Sequence, residues 1–84
     1  MFKHSYTKYT VSLYSSHLPY WHDACQCKTK FFAKQRYDRL KRNIDPSNTQ
    51  VCLVKIIVYG KGSMIRTEEL ECFGAKIEDI KKVA

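Results

Sequence analysis

Residues 51–74 read VCLVKIIVYGKGSMIRTEELECFG. The first ten, VCLVKIIVYG, are almost all β-branched or apolar. Such a run marks a strand covered on both faces or lying centrally in a sheet. Gly60 and Gly62 in YGKGS supply a hairpin turn, and MIRTEELECFG can pair back as the last strand. A lone hairpin is marginal in water, so this one needs more strands and a covering element.

The N-terminal third provides them. KYTVSLYSS alternates: Tyr9, Val11 and Leu13 fall on one face, and Thr10, Ser12 and Tyr14 on the other. That is a half-buried strand. SSHLPYW follows, with Pro19 as a breaker. YWHDACQCK is a weaker second strand, with Trp21, Asp23, Cys25 and Cys27 in one set and Tyr20, His22, Ala24 and Gln26 in the other. Neither set is clean, so its register stays open.

Between the hairpins lies KTKFFAKQRYDRLKR, residues 28–42. Thr29 is a natural N-cap. Ala33, Tyr37, Leu40 and Ile44 follow at spacings of 4, 3 and 4, one stripe of a helix. Pro46 stops it, among the turn formers Asp45, Ser47 and Asn48. After Gly74, AKIEDIKKVA carries Ile77, Ile80 and Val83 at helical spacing, which predicts a short C-terminal helix. The predicted fold is a single α+β domain over residues 1–84. It is a four-stranded antiparallel sheet, β-β-α-β-β in spatial order 2-1-3-4, with one helix packed on one face.

Charge is uneven along this fold. Residues 1–62 carry eleven Lys or Arg against three Asp or Glu, and residues 63–84 carry four against five. The middle helix concentrates the excess, with seven Lys or Arg among residues 28–42 and one acid, Asp38. With Ala33 as reference and about 100° per residue, Lys30, Lys34 and Lys41 fall on one flank of the core stripe. Arg36 and Arg39 fall on the other, with Phe32 between them. Arg42 and Phe31 point outward. Exposed helices ordinarily mix signs at i, i+4 spacing. Here Asp38 can partner Lys34 or Arg42, which leaves the rest for an anionic partner. The phosphate-contacting set is therefore Lys30, Lys34, Arg36, Arg39, Lys41 and Arg42, with Phe31 as a stacking surface.

RNA is favoured over DNA, because no helix-turn-helix, zinc finger or basic zipper is present. Tyr6, Tyr14, Tyr20 and Trp21 around the first hairpin are further candidates for stacking, although Trp21 reads better as a core plug. No RNP1-type motif identifies an RRM.

Other chemistry is weaker. His17, His22, Cys25 and Cys27 lie within eleven residues. In a strand, however, Cys25 and Cys27 share a side and His22 faces away, whereas structural zinc motifs place their cysteines on turns. No metal or other cofactor is expected. Cys52 and Cys72 read as small buried hydrophobes. His17 or the His22–Asp23 pair could act as acid or base, but no partner is set beside them by spacing, so no enzyme is expected. Glu68, Glu69 and Glu71 read as a guard against edge pairing on the last strand, or as a mate for the basic face of another copy in a homodimer or of a host protein. The chain has no apolar run long enough for a membrane span and no apolar N-terminal leader. A cytoplasmic protein with reduced cysteines is expected.

The layout YTVSLYS…HDACQCKTKFFAKQRYDRLKR…VCLVKIIVY resembles many short phage-encoded proteins. In these a strand pair runs into a KT-x-x-x-A-x-x-x-Y-x-x-L helix and then a strong strand. Lys28, Thr29, Ala33, Tyr37 and Leu40 carry the likeness, over roughly half the chain. In size and charge the chain is similar to the RNA-binding phage inhibitor of a type III toxin–antitoxin endoribonuclease, the toxIN inhibitory factor. That resemblance implies binding to RNA and, together with RNA, to the toxin, and it assigns no site residue. The expected function is that of a non-catalytic RNA-binding phage protein acting in counter-defence in the host cytoplasm. The alternative is a protein-only inhibitor that docks by charge or by sheet-edge pairing.

Overall fold

The computed structural model describes residues 6–17, 20–60, 64–76, 78 and 80. Strands β1 (Tyr6–Ser15) and β2 (His22–Cys27) precede helix α1 (Lys30–Asn43), and β3 (Thr49–Tyr59) and β4 (Met64–Gly74) follow. The four strands form one antiparallel sheet in the order β2-β1-β3-β4, as the length and patterning of the segments predict. Strand β3, which carries the near-continuous apolar run, lies inside the sheet between β1 and β4.

Helix α1 begins where Thr29, in an extended conformation, accepts the Phe32 amide on Oγ1 at 3.5 Å. It ends when the Ile44 amide donates to the Leu40 carbonyl, two residues before Pro46. Asp45 then closes the turn by accepting the Ser47 amide at 3.0 Å and the Ser47 hydroxyl at 2.7 Å. Those two bonds, the hydroxyl's first, hold the Asp45 carboxyl below its usual pKa.

The predicted stripe is the one that packs. Ala33 and Tyr37 are buried with Val11, Val51 and Leu53. Tyr9, Leu13, Cys25, Cys27, Leu40, Ile44 and Leu70 ring this cluster. The register explains the grouping, since Leu53 and Cys25 both lie opposite Val11, and Val51 lies opposite Leu13. A 14-residue helix spans about 21 Å, whereas an 11-residue strand runs about 36 Å. Helix α1 therefore covers part of one sheet face and leaves the β3–β4 hairpin projecting.

Each edge strand carries one bulge. Val11 pairs with Cys25 and Ser12 with Asp23, so Ala24 is extra. Leu53 pairs with Glu71 and Val54 with Glu69, so Leu70 is extra. A bulge reverses side-chain parity beyond it. One expectation is corrected by this, and one feature is new. His22 lies opposite Leu13, on the face shared by Cys25 and Cys27, rather than away from them. Leu70 joins the core rim, while Glu69 and Cys72 share the far face.

Trp21 precedes β2, is 40% exposed, and tilts against Tyr14 with ring centroids 5.5 Å apart. It is a surface group with one side covered, not a core plug. The predicted C-terminal helix over residues 75–84 falls largely outside the described residues. Within them, the Ile80 amide donates to the Lys76 carbonyl at 3.0 Å and Ile80 is buried.

Gly74 ends β4 at a φ of +104°, and a Cβ placed there would sit 2.2 Å from the Thr49 carbonyl oxygen. That oxygen accepts the Ala75 amide, which ties the end of β4 to the start of β3. Gly74→Ala should therefore lower stability by about 1–3 kcal/mol, since both backbone strain and a clash with main chain oppose it. Thermal unfolding followed by circular dichroism checks this, and an unchanged Tm would refute it.

Candidate nucleic-acid interface

Three bands run along α1. Ala33, Tyr37, Leu40 and Ile44 form the first and face the sheet. The second is the lysine flank, where the fold ties Lys34 and Lys41, though not Lys30, to its own carboxylates. Lys34 Nζ donates to Glu71 Oε2 at 2.6 Å and lies 3.3 Å from Asp38 Oδ1. Lys41 Nζ lies 3.7 Å from the same Asp38 oxygen. Both ammonium groups sit 5.1 Å from the centre of the Tyr37 ring, and Lys41 also caps Phe73 at 5.6 Å. The Glu71 hydrogen bond, with Asp38, raises the Lys34 pKa above its usual value. These exposed pairs add little stability. Their effect is to neutralise that flank and to link α1 to β4.

The third band is the arginine flank and the outer face. Arg36, Arg39, Arg42 and Lys30 are exposed, and among the described residues no carboxylate lies within ion-pairing distance of them. Asp38, which could have answered Arg42, is held by the two lysines instead. Arg36 and Arg39 line a shallow hollow of about 140 Å³ with Ala24, Cys25 and Leu40, between α1 and the bulge of β2. Arg39 and Arg42, with Gln35 and Asp38, line a second of about 330 Å³ on the outer face.

At the helix start, Phe31 is 66% and Phe32 57% exposed, with rings edge to face at 5.4 Å. Phe31 was expected to lie outside. Phe32 was not included in the site, although its angular position between Arg36 and Arg39 already placed it off the core stripe. Two adjacent exposed rings beside unpaired guanidinium groups form a surface on which flat, anionic polymers can both stack and pair charges.

Of the seven sequence-predicted residues, the structure thus keeps Lys30, Phe31, Arg36, Arg39 and Arg42 available and brings Lys34 and Lys41 to acids of the same chain. The acids of β4 also have internal neighbours. Glu71 holds Lys34, and Glu68 stands opposite Lys55 in the ladder. Glu71 is therefore a link within the molecule, in addition to any part it plays at the edge.

Two cysteine groups flank this surface. Cys25 and Cys27 are free thiols on the helix side of β2. Burial, followed by the neighbouring Cys27, raises the Cys25 pKa, so Cys25 is held as a thiol rather than a reactive thiolate. His22 Nδ1 nearby is buried without a hydrogen-bond partner among the described residues, and its ring meets Tyr20 edge on.

On the far face, Cys52 and Cys72 stand directly opposite in the β3–β4 ladder and are joined as a disulfide. Glu69 Oε2 lies 3.4 Å from Cys72 Sγ. The sequence reading treated Cys52 and Cys72 as separate, reduced and buried. Cys52 is buried, but Cys72 is exposed and the two are paired. Register is the cause, because it sets residues 20 apart in sequence side by side.

No protein-family model matches the chain, and no characterised protein or solved structure does either.

The cysteine pairing predicts a simple count. Protein purified without reductant and then denatured should show two reactive thiols, on Cys25 and Cys27, and four after reduction. Peptide mapping should link the Cys52 and Cys72 peptides. Four reactive thiols before reduction would contradict the pairing.

Proposed function

We propose that this protein binds RNA without cleaving it, through the arginine flank and outer face of α1. The observation that carries this is selective neutralisation. The fold supplies acids to Lys34 and Lys41, yet leaves Arg36, Arg39, Arg42 and Lys30 exposed and without ion pairs among the described residues. Unanswered like charges on one 14-residue helix repel one another, and a phosphate backbone relieves that repulsion. Guanidinium groups are suited to the task, because their planar fork matches phosphate oxygens and stacks on bases. Phe31 and Phe32 add stacking area at the same helix.

The resemblance to small phage proteins extends this proposal to function in the cell. The RNA-bound protein would occupy a host RNA-processing or defence factor, such as a toxin endoribonuclease. One observation favours a second reading, a protein-only inhibitor. β4 is an outer strand of 11 residues, and its outward edge offers main-chain groups to another strand. Its bulge at Leu70 opposes that use, since bulged edges pair poorly.

Arg39→Glu combined with Arg42→Glu should raise the Kd for RNA more than about tenfold and reduce the salt slope by about two phosphate contacts. Lys34→Gln combined with Lys41→Gln should have a much smaller effect, since those charges are already answered. Anisotropy titrations at several salt concentrations, with circular dichroism to verify folding, make the comparison. Equal losses in the two double variants would refute the assignment to the arginine face. Wild-type protein that binds no RNA at low salt would leave edge docking as the better account.

A further inference from the structure

We infer that a notch beside the N-terminus of α1 seats one unpaired nucleotide of the bound RNA. Its base would lie on Tyr6 and its flanking phosphates on Lys8 and Lys28. The inference rests on the RNA-binding function proposed above, and it specifies the form of RNA: a single strand with accessible bases.

The notch arises from a mismatch in strand lengths. β1 begins at Tyr6 and pairs with β3 from its first residue, through Tyr6–Val58, Thr7–Ile57 and Lys8–Ile56. Its ladder with β2 reaches only Tyr9–Cys27, because β2 ends there and the chain turns through Lys28 and Thr29 into α1. Residues 6–8 are therefore a stretch of sheet edge that β2 does not cover. Alternate residues of a strand direct their main-chain groups to opposite neighbours, so this stretch presents donors and acceptors on its β2 side that no β2 residue meets.

The resulting hollow is about 520 Å³, lined by Tyr6, Thr7, Lys8, Gln26, Cys27 and Lys28. That lies within the range of small-molecule sites. Its chemistry fits a nucleotide. Tyr6 is 56% exposed and offers a ring face, and bases stack on such rings whatever their identity. Lys8 and Lys28 contribute two cations, and neither has a carboxylate within ion-pairing distance among the described residues. Gln26 also lines the notch, with its amide bonded at both ends within the protein. Its Oε1 accepts from Lys8 Nζ at 3.4 Å, and its Nε2 donates to Asp23 Oδ2 at 3.2 Å. A primary amide offers a donor and an acceptor side by side, the pattern that pairs with a base edge. Asp23 is the nearest acid, and its two oxygens are occupied by Gln26 and by the Ser12 hydroxyl at 2.9 Å.

Lys28 joins the notch to the start of α1. Lys28 is followed by the cap Thr29 and then by Lys30, Phe31 and Phe32. The first turn of α1 contains no acid, so the partial positive charge of the helix start adds to the lysines. The register sets Tyr6, Lys8 and Gln26 on the sheet face away from α1, so a strand leaving the notch would round the edge at Lys28 to reach the phenylalanines of α1.

The test uses the full chain and a fluorescein-labelled twelve-nucleotide RNA of mixed sequence, presented as a single strand and as a perfect duplex. Wild-type protein should bind the single strand more tightly than the duplex. Tyr6→Ala should weaken single-strand binding about tenfold, the loss of one stacked base, and leave duplex binding unchanged. Tyr6→Trp should restore it, and Lys28→Glu should weaken it comparably. Ultraviolet cross-linking should place label on the peptide that contains Tyr6. Circular dichroism verifies the fold of each variant, and Lys28→Glu alters an exposed side chain that the core does not use. If folded Tyr6→Ala and Lys28→Glu bind the single strand as wild type does, while Arg39→Glu with Arg42→Glu abolishes binding, the notch is overturned and the RNA surface stands. If wild-type protein binds neither form, the RNA function fails and the notch fails with it.

Discussion

The contact between Tyr37 and the Val11–Leu53 pair fixes this molecule. A chain of 84 residues can build only a small core, and here one helix supplies a single narrow stripe to one sheet face. Tyr37 is its largest member and is almost completely buried, between β1 and β3 where they are paired. Burial raises its pKa, so the phenol stays neutral in the core. Once that ring is seated, the rotation of α1 about its axis is set. Lys34 and Lys41 must then arch over the ring towards Asp38 and Glu71, and Arg36 and Arg39 must face the β2 side. The division of the helix into a neutralised flank and an unanswered flank is therefore a consequence of packing, set by the position of one aromatic residue.

The parts of the fold legible in the sequence were those carried by local periodicity. VCLVKIIVYG reads as a strand covered on both faces or lying centrally, and it is an inner strand; the 4-3-4 spacing from Ala33 to Ile44 marks the buried side of α1. The cap at Thr29 and the stop before Pro46 are likewise decided by neighbouring residues. Strand order followed from short connections. In each case the determining interaction lies within a few residues, or within one element.

What was not legible depended on register. A bulge has no side-chain signature in a single sequence, yet the extra residues at Ala24 and Leu70 reverse the parity of everything beyond them. That is why His22 was placed on the wrong face and why Glu69 was not expected beside Cys72. The Cys52–Cys72 pair and the Lys34–Glu71 bridge span 20 and 37 residues. Neither can be inferred without knowing which β3 residue meets which β4 residue. The exposed position of Phe32, by contrast, could have been read from its helical angle alone.

The same register explains why three of the four cations of α1 without an ion pair among the described residues are arginines. Among the described residues Glu71 and Asp38 are the carboxylates that ion-pair with α1, and geometry gives both to lysines, whose flexible stems can bend over the Tyr37 ring. An ammonium is a compact, strongly hydrated charge that is readily quenched by one carboxylate. A guanidinium is weakly hydrated, planar and forked, and it loses less when it leaves water to meet a phosphate or a base. On α1 the two lysines over Tyr37 are tied down, while Arg36, Arg39, Arg42 and Lys30 are left exposed on the helix that carries Phe31 and Phe32, an arrangement that would suit the flat polyanion proposed above.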